Sequence, residues 1–142
     1  DRVFLREALA QLKARGQVHL LDRAWLAMHN YTGARPLDDP DGFLRFRQYD
    51  AIIQSELGRQ LPIIGTEGGT HISQDVSEEQ QIRMVTQSYT YMRHREPYNF
   101  AYTYWIIANG RDPAWENHAL FRPDGPTALA QALTTLAAGG YV

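Results

Sequence analysis

The chain has 142 residues, of which 44% are hydrophobic and 21% charged, with a formal net charge of -2. That is enough chain for one domain with a hydrophobic core, and the near-neutral charge, with basic residues scattered, lacks the basic stripe of a nucleic-acid binder. The absence of cysteine excludes a disulfide framework, a thiol nucleophile and a thiolate metal site.

No apolar run approaches the ~20 residues of a membrane span. The opening residues Asp1-Arg2-Val3-Phe4-Leu5 lack the layout of a signal peptide and read like the interior of a larger protein.

Phe4, Leu5, Ala8, Leu9 and Leu12 recur at helical spacing, and Gly16 follows as a stop. The run "AWLAMHNY", Ala24 to Tyr31, is a short apolar stretch ending in polar groups and predicts a buried strand. Asp39-Pro40 predicts the start of the next helix, with Asp as N-cap and Pro in the first turn. Phe43, Phe46, Ile53 and Leu57 mark its inner face, and Gly58 its end.

"LPIIGTE", Leu61 to Glu67, predicts the second strand, with Pro62 near its start where a missing N–H is tolerated. Ser77-Glu78-Glu79-Gln80 fits a capping box, and Ile82, Val85, Tyr89 and Met92 mark a helix behind it. "NFAYTYWIIAN", Asn99 to Asn109, is rich in aromatic and β-branched residues and predicts a third strand. A polar loop with Trp115 and His118 leads to Gly125-Pro126, and Leu129, Leu133 and Leu136 define a last helix. Strands that alternate with helices and read as continuous apolar runs predict a parallel sheet with helices outside.

Each predicted strand ends in polar or aromatic residues: His29-Asn30-Tyr31, Thr66-Glu67, and the segment around Trp105. Ligands of α/β folds gather at that end of the sheet. Glu67 follows Ile63-Ile64, and Gly68 and Gly69 leave space beside it, which suggests room for a ligand; the alternative is a solvated acid at a strand end. Neighbouring strands lie about 4.8 Å apart, so His29 or Tyr31 can donate to the Glu67 carboxylate, or simply pack. The Trp105 indole suits the C–H face of a sugar ring, or simply packs. Trp115 and His118 either line a cleft or pack on the surface.

A strand ending His-x-Tyr, a strand ending Thr-Glu-Gly and a strand containing Tyr-x-Tyr-Trp together resemble the last three strands of a (β/α)8 glycoside hydrolase. The clan in question contains the cellulase-like and mannanase-like retaining enzymes with two catalytic glutamates. The resemblance spans roughly Ala24 to Asn109 and onward. It implies that residues 1–142 form the C-terminal part of such a barrel, about three βα units plus a preceding helix. It further implies that Glu67 is the nucleophile, that His29 and Tyr31 contact nucleophile and sugar, and that Trp105 is the platform under the sugar, with no cofactor and a saccharide as partner.

The departure from that pattern is large. Retaining hydrolysis uses two carboxyl groups about 5–5.5 Å apart, and the clan's acid/base glutamate ends an earlier strand that has no counterpart here. Glu96-Pro97 imitates part of that motif but precedes the third strand, and Glu116 lies in a later loop. A whole barrel takes about 250 residues, so this chain has room for three of eight strands, and its bare sheet is expected to self-associate or to pair with the missing half. The rival readings are a catalytically inactive saccharide-binding or structural module, a phosphate-binding barrel using Gly65 to Gly69, and a metal-dependent hydrolase using His29, Glu67, His71 and His118.

Overall fold

A computed structural model describes residues 1–140. It is a mixed α/β arrangement built on a parallel sheet of three strands in the order β1-β2-β3. Helix α1, Arg2–Ala14, is followed by a short 3-10 helix, Val18–Leu21, and strand β1, Leu26–Tyr31. A 3-10 turn at Phe43–Arg45 runs into α2, Phe46–Leu57, and then come β2, Ile63–Gly69, and α3, Glu78–Met92. Strand β3, Asn99–Tyr102, leads to a 3-10 helix, Pro113–His118, and a small antiparallel ribbon of β4, Phe121–Arg122, and β5, Gly125–Pro126. Helix α4, Ala128–Ala138, closes the described chain.

The helix signals correspond to specific contacts. In α3 the Ser77 hydroxyl accepts from the Gln80 N–H, and the Gln80 side chain accepts from the Ser77 N–H, closing the capping box. Gly58 ends α2 at φ 68°, where a side chain would be strained. Thr127 caps α4 by accepting from Ala130 N–H.

One helix boundary and one packing position differ here from the sequence expectation. Asp39-Pro40 does not open α2: Asp39 forms a turn in which its carboxylate accepts from Asp41 N–H and its carbonyl from Gly42 N–H, so the helix begins only at Phe46. Phe4, expected on the packing face of α1, is 77% exposed, and Leu9 carries the burial instead.

The core lies between one face of the sheet and the helices. Met28, Ile63 and Tyr102 from the strands meet Phe43, Phe46, Ile53 and Met92, and Phe43 sets its ring edge against Tyr102 at 5.1 Å. Residues alternate along β1: Met28 and Asn30 are buried, while Ala27 and His29 are exposed. Phe100 on β3 is 60% exposed and Trp25, just before β1, 49%. The second face of this parallel sheet is therefore bare. Among the described residues no helix is long and apolar enough to cross a membrane.

Candidate active site

β1 and β2 run in register from Leu26 opposite Ile63 to Met28 opposite Gly65, and the register then shifts so that His29 lies opposite Glu67. The extra residue, Thr66, makes a β-bulge in β2, the device by which strands re-aim a side chain near a site. Without it Thr66 would face His29 and Glu67 would face Asn30, whose side chain is turned inward to donate to the Phe43 carbonyl at 3.0 Å. The bulge thus puts Glu67 beside His29 and Tyr31 at the C-terminal end of the sheet.

Two groups meet Glu67, and both meet the same oxygen. The Tyr31 hydroxyl donates to Oε2 at 2.7 Å, and His29 Nδ1 stands 3.4 Å from Oε2. Among the described residues nothing hydrogen-bonds Oε1. Burial, the hydrogen bond to Glu67 and the charge of Glu67 all push the Tyr31 phenol up, so it stays protonated and acts as donor. The Arg45 guanidinium donates to the Tyr31 carbonyl and fixes the end of β1.

Gly68 and Gly69 do not leave a void for a ligand, as the sequence suggested. A Cβ on Gly68 would lie 2.6 Å from the Tyr102 ring and 2.8 Å from the Asn30 carbonyl. One on Gly69, which has φ 118°, would lie 2.5 Å from the Tyr104 ring. The glycines make room for the tyrosines of the Tyr-x-Tyr-Trp motif, and the approach to Glu67 is from the bare face of the sheet.

Trp105 lies three residues beyond β3 rather than within it. Expected to reach Asn109, the strand stops at Tyr102, because the chain bends away from straight pairing. Thr103 N–H reaches Gly65 O at 2.8 Å, but Tyr104 N–H goes to the Tyr89 hydroxyl and Trp105 N–H to Gly68 O at 3.0 Å. Ile106 and Ile107 then pair with the returning segment at His118, Leu120 and Phe121. The bond to Gly68 still ties Trp105 to the residue next to Glu67.

Beyond Glu67 runs an arc of rings. Tyr31 lies 5.5 Å from His71, which stacks on His118 with centroids 3.5 Å apart and planes 26° from parallel. His118 meets Trp105 at 5.5 Å and Trp115 at 5.0 Å, edge to face. The two indoles stand at right angles, 4.8 Å apart. Trp115 and His118 are thus joined to Trp105 in one cluster rather than dispersed over a loop.

His71 is the residue whose place was not read from the sequence beyond its metal-ligand alternative. Its only sequence signal is position, four residues after Glu67, on the loop that follows β2. Its Nε2 lies 3.0 Å from the Trp105 carbonyl. The loop carrying it is pinned by Gln81 of α3, which donates to Thr70 O and to the Tyr104 hydroxyl, each at 3.1 Å.

The remaining candidates lie apart. Glu96 precedes β3 and holds Arg47 Nε and the Tyr91 hydroxyl, each at 2.7 Å; burial pushes its carboxyl up, but these hydrogen bonds outweigh that and hold it below its ordinary value. Glu116 lies in the 3-10 helix Pro113–His118, and no hydrogen bond or ion pair joins it to Glu67, Tyr31 or His29. Among the described residues no group of three or more His, Asp or Glu converges as a metal site: His71 and His118 stack face to face, while His29 pairs with Glu67. The first turn of α3 carries Glu78 and Glu79, an arrangement unsuited to a phosphate. A cleft of about 610 Å³ between Pro36–Asp38 and α3 shares no residue with this site.

Comparison with protein-family models, with curated proteins and with solved structures returns no match.

Proposed function

We propose that these three βα units are the last three of a (β/α)8 barrel of the retaining glycoside hydrolase type, with Glu67 as nucleophile. The observation that carries this reading is the asymmetric grip on Glu67. Tyr31 and His29 both occupy Oε2, which leaves Oε1 to attack the anomeric carbon. The hydroxyl of Tyr31 and the imidazole of His29 orient the carboxylate, and Trp105 and Trp115 offer apolar faces to the sugar.

The barrel reading is supported by the bare sheet face. Parallel sheets are covered on both faces in α/β folds, and here helices cover one face only. In a closed barrel Ala27, His29, Ile64 and Phe100 would point inward against further strands. Saccharide is the partner this site suits, and the chemistry calls only for carboxyl groups and water.

In the first step Glu67 forms a bond to the anomeric carbon while the bond to the leaving oxygen breaks. That oxygen ordinarily takes a proton from a second carboxyl group. A dinitrophenyl glycoside needs no such proton, because dinitrophenolate is a stable anion. The test is therefore release of dinitrophenolate from aryl glycosides by the native chain and by Glu67→Gln. Release that the substitution abolishes supports the nucleophile; release that survives it removes Glu67 from the mechanism.

A second reading is a saccharide-binding half-barrel without turnover. It is favoured by the company Glu67 keeps: among the described residues its polar contacts are to a phenol and an imidazole, and no carboxyl group takes part. Saccharide binding with no dinitrophenolate release distinguishes it.

A further inference from the structure

Trp105 and Trp115 belong to different segments, yet they stand perpendicular and 4.8 Å apart. Two main-chain links reach Trp105: its N–H donates to Gly68 O, and its carbonyl faces His71 Nε2 at 3.0 Å. A carbonyl only accepts, so Nε2 carries the proton. The opposite side of the arrangement is held by the main-chain bond from Ile106 N–H to His118 O at 3.3 Å and by ring contact. His118, at the end of the short helix that bears Trp115, lies flat on His71. Its Nδ1 is buried with no hydrogen-bond partner among the described residues, and the ring rests on His71 and against the two indoles.

We propose that His71 is the positioning residue of the two-indole corner: through the Trp105 carbonyl on one side and His118 on the other, it sets the angle between Trp105 and Trp115. One imidazole thereby joins the loop after β2 to the chain after β3 and to the Pro113–His118 helix. The angle of the corner is independent of function; that a saccharide lies in it rests on the glycosidase reading above.

The environment favours a neutral ring. The ionisable groups around His71 are Tyr31 from β1, Tyr104 after β3 and His118, with Arg122 acting on Tyr104. Burial pushes His71 down to about 4, and the neighbouring His118 adds to that, while the Trp105 carbonyl opposes it. His118 is also pushed down by burial. Two neutral imidazoles can lie 3.5 Å apart; two cations cannot without strong repulsion.

The experiment reads the corner directly. Closely spaced indoles couple excitonically, so circular dichroism in the indole bands reports the Trp105–Trp115 angle, and Trp115→Phe identifies the coupled signal. In parallel, cellotetraose and mannotetraose are titrated against indole fluorescence. His71→Leu is expected to lose the coupled signal while keeping the helical spectrum, and His71→Gln, which retains an N–H donor, to restore most of it. Saccharide affinity is expected to fall by roughly tenfold in His71→Leu, the equivalent of one hydrogen bond. If His71→Leu does not fold, His118→Ala, which removes the ring stacked on His71 together with its edge contacts to both indoles, must alter the coupled signal in its place. A coupled signal unchanged in His71→Leu, or unchanged in His118→Ala where His71→Leu does not fold, overturns the proposal, even if saccharide still binds. A signal that responds as expected with no saccharide binding by any variant keeps the positioning role and removes the saccharide.

Discussion

The Tyr31 hydroxyl donates to Glu67 Oε2 at 2.7 Å, across a strand pair whose register is offset by one residue to make the contact. A hydrogen bond to a charged group contributes about 1.5–3 kcal/mol. Tyr31→Phe is therefore expected to slow dinitrophenolate release by roughly 10- to 100-fold and to lower stability by at most the same about 1.5–3 kcal/mol. Single-turnover kinetics measure this. An unchanged rate would show that the phenol does not hold the carboxylate during attack.

Gly68→Ala tests the packing beneath the site. The new methyl would meet the Asn30 carbonyl at 2.8 Å and the Tyr102 ring at 2.6 Å. The ring can shift, but the carbonyl is backbone of the neighbouring strand. Overpacking of this kind costs about 1–3 kcal/mol, read as a lower urea midpoint at unchanged slope. Because the displaced strand carries His29 and Tyr31, activity is expected to fall with it.

Much of this frame is legible in the sequence, and the illegible parts share a cause. Ser77 and Gln80 announce α3, and Gly58 the end of α2, because caps are local: the partner groups lie within four residues. The three parallel strands follow from apolar runs alternating with helices. The bulge at Thr66 is invisible, because it depends on which residue of β1 each residue of β2 meets. The end of β3 at Tyr102 is equally non-local, since it is decided by Tyr89 and by the returning chain at Leu120. Glu67 reads as a candidate from its strand-end position, whereas the link from His71 to Trp105 and His118 joins residues more than thirty positions apart. The glycines beside Glu67 mislead for the same reason: the tyrosines that fill their space come from β3 and the chain just beyond it.

Ser77→Ala removes the hydroxyl that accepts from Gln80 N–H at 3.2 Å. The expected loss is about 1 kcal/mol, measured by denaturant unfolding. Activity should be unaffected under conditions where the variant is folded, since the contacts of α3 to the site run through Gln81 and Tyr89 rather than through the Ser77 cap.

Acid should destabilise the fold in two windows. The His71 imidazole sits at about 4 in the folded chain against an ordinary 6.5. The unfolded chain therefore binds its proton first, and stability falls as pH drops from about 6.5 toward 4. His71→Gln should flatten that slope. Glu96 is held below its ordinary 4.5, so its contribution is present above that value and is lost as pH falls further through its folded pKa. Glu96→Gln should flatten only the lower window. A pH series of urea midpoints separates the two.

The bare face of the sheet predicts association. Phe100 is 60% exposed and Trp25 49%, beside strand edges β1 and β3 that no further strand of the described chain pairs. Exposed edges and apolar patches drive self-association. Sedimentation at micromolar concentration should show species larger than a monomer, and Phe100→Lys should shift the distribution toward monomer. A well-folded monomer at those concentrations would count against an incomplete barrel.

The most direct measurement is covalent trapping of the nucleophile. The chain is incubated with dinitrophenyl 2-deoxy-2-fluoro-glycosides of several sugars, digested with protease and analysed by mass spectrometry. The fluorine slows breakdown of the glycosyl-enzyme ester, and the leaving group makes a second carboxyl group unnecessary for its formation. The expected result is one glycosyl adduct on the peptide containing Glu67, absent from Glu67→Gln and formed more slowly by Tyr31→Phe. An adduct on any other residue, or none from a sugar that the folded chain demonstrably binds, would contradict Glu67 as the attacking group.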